Sequence, residues 1–209
     1  MKLNTILLKK ISTEYLNEHL GIFIDNILID EYFYNITNEK LFKGLISAWY
    51  NELYNKNEEN YIKKILQIET TEGLNIPILL CPDDLDFSCT IIVAKIKYQE
   101  NTVIWEKVGK VNHNKNNSGK WKESGIKNID TWTNEDWLKF GEKFDVTNLL
   151  DDEWDKWIAE NWNEEEERRI KNYTHVYFNN DENITWFNSI PKLTFDKKEF
   201  QRVINDQEK

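Results

Sequence analysis

The sequence predicts an α+β fold: an antiparallel sheet built on a central hairpin, with an N-terminal helix pair and a Trp-rich helical insertion. Three observations carry that expectation. Residues 89–98 and 102–111 alternate apolar and polar side chains on either side of Gln99-Glu100-Asn101, the period of paired strands joined by a turn. Between 41 and 68, apolar residues recur every three or four positions, the helical period. Further on, Trp154, Trp157, Ile158 and Trp162 line one helical face. The whole chain, 1–209, reads as a single α+β domain, with 112–172 as a candidate helical insertion.

In chain order, Ser12 suits the cap of a short helix running to His19, with Gly21 as its stop. Ile22-Phe23-Ile24 and Ile27-Leu28-Ile29, split by Asp25-Asn26, suggest a hairpin, with a helix as the alternative. Thr37 or Asn38 can cap the next helix, where Leu41, Phe42, Leu45, Ile46, Trp49, Tyr50 and Leu53 share a face. A second helix is expected from Glu58 to Ile68, burying Tyr61, Ile62, Ile65 and Leu66 and pairing with the first across a short loop. Ile76–Leu80 reads as a buried strand.

In the hairpin that follows, Ile92, Ala94, Ile96 and Tyr98 fall on one face. Strict alternation then places Val103, Trp105 and Val111 on one side of the returning strand, and Ile104 and Val108 on the other. The polar stretch from Asn112 to Gly125 reads as a loop. Thr133 and Asp136 approximate a capping box for a helix that takes in Trp137, Leu138 and Phe140 to Phe144. A longer helix starts at Asp151-Asp152, with Glu164–Arg168 and Glu165–Arg169 as pairs four residues apart. Tyr173 to Phe178 reads as a strand, Ile184 to Phe187 as its return, and Pro191 to Phe195 as a last short strand. Asp196 then caps a terminal helix that turns Phe200, Val203 and Ile204 inward.

Composition bounds the function. Apolar residues make 40% and charged residues 31%, the balance of a globular chain long enough to bury a core without staples. Nine Trp, nine Tyr and ten Phe exceed what a core of this size uses, so some are expected at a binding surface. The net charge of −10 is uneven: −3 over 1–75, −1 over 76–148 and −6 over 149–209. Such a field repels phosphate backbones and anionic lipid, and attracts a basic partner. Neither nucleic acid nor membrane is therefore expected as a partner. The N-terminal apolar run is interrupted by Lys9 and Lys10 and lacks a small-residue cleavage site, and two cysteines make no disulfide framework. A cytoplasmic protein is expected.

Two constellations stand out. Asp83, Asp84 and Asp86 lie between Cys81 and Cys89, the only cysteines. Clustered carboxylates suit a divalent cation, but the spacing matches neither a zinc motif nor a calcium loop. Turn chemistry, with small cysteines packed at strand ends, accounts for the same residues, so no metal is expected there. The second constellation is Trp121, Trp132, Asp151, Asp152 and the run Glu164, Glu165, Glu166 and Glu167, candidates with Asp83, Asp84 and Asp86 for contact with a partner. His19, His113 and His175 are scattered and pair with no nucleophile motif, so no catalytic residue and no cofactor is expected.

Three pieces carry a resemblance: the segment LLCPDDLDFSCTIIVAKI, the triplet Val103-Ile104-Trp105, and the ending Leu193-Thr194-Phe195-Asp196 followed by Phe200. Together they resemble small bacterial immunity proteins encoded beside polymorphic or contact-dependent toxins. Leu193 stands where the closing motif of such proteins has its first aromatic. The resemblance implies a non-enzymatic protein that binds and neutralises a cognate toxin, and the acidic charge adds that the toxin domain is basic. A metal-dependent hydrolase using Asp83, Asp84 and Asp86, or a carbohydrate-binding module using exposed tryptophans, are the alternatives.

Overall fold

A computed structural model describes residues 3–13, 18–49, 53, 56–87, 89–112, 125–148, 152–177 and 180–205. The chain divides into two compact units: Met1–Asn112 with Asp181–Lys209, and His113–Asn180. Helices and antiparallel sheets together make an α+β fold.

The first unit holds two sheets. Strands β1 (Ile6–Ile11), β2 (His19–Ile24) and β3 (Ile27–Leu28) form the smaller, in that order. Asp25 and Asn26, at φ 51° and 66°, make the tight β2–β3 turn expected of this pair. The helix expected from Ser12 to His19 is not formed where the chain is described: His19 pairs with Ile11 as a strand residue. Gly21 is no helix stop either. A Cβ there would sit 2.6 Å from Ile11 Cδ1, so glycine serves the close approach of β1.

Helix α1 (Ile29–Thr37) follows at once, burying Ile29 and Phe33 and ending on Asn38 in the left-handed conformation at φ 58°. The first N-terminal helix thus lies upstream of the expected one. Residues 41–53 carry helical spacing, but where they are described they hold a single 3-10 turn (Lys40–Phe42), Gly44 at φ 77°, and strand β4 (Ile46–Ser47), while Tyr50 lies outside the described residues. The spacing there reflects burial of consecutive residues and not of one helical face, with Ile46, Ser47, Ala48 and Trp49 all inside, as are Phe42 and Leu53. Tertiary pairing overrides a weak helical preference: Ala48 N–H donates to Ile78 O at 3.0 Å and the Trp49 indole to Pro77 O at 2.9 Å. Helix α2 (Lys56–Leu66) forms as expected and buries Tyr61, Ile62, Ile65 and Leu66.

The larger sheet runs β4, β5 (Leu74–Leu80), β6 (Ile91–Tyr98), β7 (Thr102–Val111), β8 (Ile184–Trp186). Strand β7 organises it, with β6 on one edge and the other edge shared by β8, at Gly109–Val111, and β9 (Leu193–Asp196), at Thr102–Trp105. The hairpin expected at the centre is there. Its face assignment needs one correction: Ile96 opposes Trp105 but Lys95 opposes Lys107, so Glu106 is an extra residue. A bulge of this kind exchanges the faces beyond it. Val108 opposes Ala94 and joins Trp105, while Val111 joins Ile104.

Aromatic rings fill the core beneath. Trp49 meets Trp105 at 6.0 Å and Phe200 at 5.9 Å, both edge-on, the arrangement ring quadrupoles favour. Phe200, Val203 and Ile204 come from α6 (Lys197–Asn205), which Asp196 caps by accepting from the amides of Lys198 and Glu199.

The second unit leaves the sheet after β7 and returns before β8. Asn112 N–H donates to Asn183 O at 2.7 Å, closing the two chain crossings against each other. Its helices are α3 (Asn134–Phe140), α4 (Asp152–Glu160) and α5 (Trp162–Tyr177). The Thr133–Asp136 capping box is formed on both sides. The expected long helix is broken at Asn161 into α4 and α5, and the strand expected at 173–178 is helical as far as Tyr177. Once α5 has nucleated, each further residue adds a hydrogen bond, and that outweighs the β preference of Tyr173, Thr174 and Val176. The core is Ile126, Trp132, Phe140, Phe144, Trp154 and Trp157.

Candidate functional site

The acidic turn joins β5 to β6. Cys81 N–H donates to Thr90 O at 3.1 Å, so the two ends of the turn are held side by side. Leu85, at φ 48°, closes a turn by donating its N–H to Cys81 O at 3.3 Å. Leu85 and Phe87 are buried, and Phe87 N–H donates to the Glu58 carboxylate at 2.8 Å. The loop is therefore anchored by its own apolar side chains. The three carboxylates are not brought together. Asp83 is exposed and Asp84 and Asp86 are half-buried, and only Asp84 converges with the thiols. The donor atoms of Cys81, Asp84 and Cys89 all lie within 4.8 Å of one another, and both cysteines are unbridged. Burial pushes the Cys89 thiol up, and the neighbouring Cys81 and Asp84 push it further.

The helical unit distributes its charges differently. Trp132 is buried, with its indole donating to Ile126 O at 2.8 Å and its ring 6.0 Å from that of Trp154. Glu165, expected at the surface, is 0% exposed. Its carboxylate accepts from Ile126 N–H at 2.8 Å and from Arg169 at 2.6 Å, and a side chain on Gly125 would run into it. Neither Trp132 nor Glu165 is available to a partner, because each is part of the unit's interior. Arg168 is turned to Asp136 at 2.5 Å, tying α5 to α3. Its hydrogen bond holds the Asp136 carboxyl well below the usual range.

Glu164 is half-buried and engaged by Lys139 at 2.7 Å, and Glu166 is half-buried. Asp152 and Glu167 are exposed. Trp121 and Asp151 lie outside the described residues.

Three large apolar side chains on this unit are exposed: Trp137 at 45%, Leu138 at 89% and Trp162 at 41%, the last expected on an inward helical stripe. A helical-wheel signal exists for the second. Phe140 is the inward residue of α3, and Leu138, two positions back, is turned about 200° away from it. Trp162 falls on the expected apolar stripe only if α4 and α5 are one helix. The Trp137 ring packs edge-on at 4.9 Å against buried Trp132. Around these residues the charge is one-sided. Residues 129–167 carry 14 Asp/Glu against three Lys, a net of −11. Glu135, Glu142, Asp145, Asp152, Asp155 and Glu160 are exposed among them.

No protein-family model matches the chain, and no curated protein or solved structure matches it. Among the described residues, no helix is long and apolar enough to cross a membrane.

Proposed function

We propose that this is a non-enzymatic binding protein that neutralises a basic bacterial toxin domain in the cytoplasm, as an immunity protein does. One observation carries the reading: an exposed tryptophan beside an almost fully exposed leucine, within a stretch, residues 129–167, that carries 14 Asp/Glu against three Lys. Apolar anchors ringed by charge are the usual composition of an energetic centre in a protein interface. The acidic field steers a basic partner to that surface and raises the association rate. Blockade of the toxin's working face then needs no chemistry from this chain.

The test is protection in cells. The toxin domain encoded by the gene adjacent to this one is expressed with and without this chain. Survival that requires this chain, and a complex of the two on purification, are the expected results. A neighbour that neither harms cells nor binds this chain would remove the reading. A tryptophan platform for sugars predicts instead a fluorescence change with glycans and none with the toxin domain.

A further inference from the structure

We propose that Cys81, Asp84 and Cys89 form a binding site for a thiophilic divalent cation, Zn2+ being the best match to the donors. The proposal stands apart from the toxin-binding reading, and either can fail alone. Two sulfurs and a carboxylate oxygen, mutually within 4.8 Å, are spaced for one ion. Zn–S bonds of about 2.3 Å in a tetrahedron separate two sulfurs by about 3.8 Å, so the donors need only close slightly. They come from both ends and the middle of a turn that is already fixed: Cys81 N–H to Thr90 O, Leu85 N–H to Cys81 O, and Leu85 and Phe87 in the core. Little ordering is left for the ion to impose.

The carboxylate separates a cation site from a disulfide. An S–S bond takes two thiols and gains nothing from a third, negatively charged donor, whereas a cation draws on all three. The ion replaces two thiol protons, which go to solvent, and the assembly of M2+, two thiolates and one carboxylate carries a single negative charge. Three protein donors leave a fourth position for water or for a donor from another molecule. Bound there, the ion clips the β5–β6 turn closed.

The test uses the full chain, reduced, stripped with a chelator and titrated with Co2+ as a spectroscopic probe. One equivalent should produce a thiolate-to-cobalt charge-transfer band, visible bands of tetrahedral cobalt, and release of two protons. Zn2+ should then bleach the spectrum. C81S or C89S should remove about half of the charge-transfer intensity, and D84N should weaken binding at least about tenfold, the loss that even an outer-shell partner causes. D83N should bind as the parent does, since Asp83 is exposed and outside the cluster. If a serine variant does not fold, D84N and the proton count still decide. No charge-transfer band, a band of undiminished intensity in C81S and C89S, or equal losses in D83N and D84N would overturn the site. So would a Cys81–Cys89 disulfide that forms in preference to metal binding in a glutathione buffer.

Discussion

The two compact units carry the same net charge, −5, but the helical one does so on a third of the chain: 10 Lys/Arg against 15 Asp/Glu, compared with 17 against 22 in the sheet unit. What differs more is where the cations point. In the sheet unit, lysines answer acids at or near the surface: Lys95 pairs with Asp181, Lys97 with Glu106 and Lys197 with Glu69. In the helical unit both arginines are turned inward, to Asp136 and to buried Glu165. Each tie takes one cation and one carboxylate inward together, so the acidic excess of the unit is carried by its exposed carboxylates. Aromatic use differs in the same sense. Trp49 and Trp105 are wholly buried in the sheet unit, while Trp137 and Trp162 of the helical unit remain exposed.

The sharpest way to break this comparison is to remove an inward tie. Glu165→Ala strands the Ile126 amide and the Arg169 guanidinium in a dry interior, and should destabilise the helical unit by about 3–5 kcal/mol. Loss of the tryptophan near-UV circular dichroism at lower denaturant would report it, and an unchanged midpoint would show that Glu165 is not a structural tie. Next in size, Trp137→Ala with Leu138→Ala should leave the fold standing but weaken toxin binding by at least about 2 kcal/mol, near thirtyfold. Isothermal titration measures that loss directly.

Acid titration separates two carboxyls with opposite signs. Asp136 is held low, first by its hydrogen bond from Arg168, so its contribution is present above the unfolded value near 4 and is lost as the pH falls. Asp136→Asn should therefore cost stability at neutral pH and progressively less in acid. Asp30 in the sheet unit is raised by burial, so its contribution is fullest below the unfolded value and is lost as the pH rises through the folded one. Asp30→Asn should gain stability at neutral pH, and that gain should vanish in acid. Denaturant midpoints across pH 3 to 7 (about the range where carboxyls titrate) would show the two slopes, and equal slopes would refute them. The smallest effect is expected at the half-exposed Lys97–Glu106 pair, where Glu106→Gln should cost less than about 1 kcal/mol.

Much of the fold was legible because period and turn chemistry agreed. Ile91–Tyr98 and Thr102–Val111 alternate about a clear turn, Thr133–Asp136 forms its capping box, and Asp25-Asn26 takes up the positive φ such residues tolerate. The failures are physical. Of residues 41–53, Phe42, Ile46, Ser47, Ala48, Trp49 and Leu53 are buried, consecutive positions included, so their spacing carried no information about which backbone they adopt. A one-residue bulge at Glu106 is invisible to an alternation count, yet it moves Val108 and Val111 to opposite faces. At the candidate sites, Glu165 looked like one acid in a solvated run, and only its distant partner Ile126 draws it inside. Asp84 converges with both thiols, Asp83 does not, and the next residue, Leu85, is left-handed, none of which the sequence announces.

The most direct test of the proposal that the acidic helical unit is a recognition surface is the association rate of the full chain with the product of the adjacent gene, measured against ionic strength. Fast association at low salt that falls steeply as salt rises, with complex lifetime cut in the Trp137→Ala, Leu138→Ala variant, is the expected result. Association indifferent to salt, and unaltered in that variant, would contradict it.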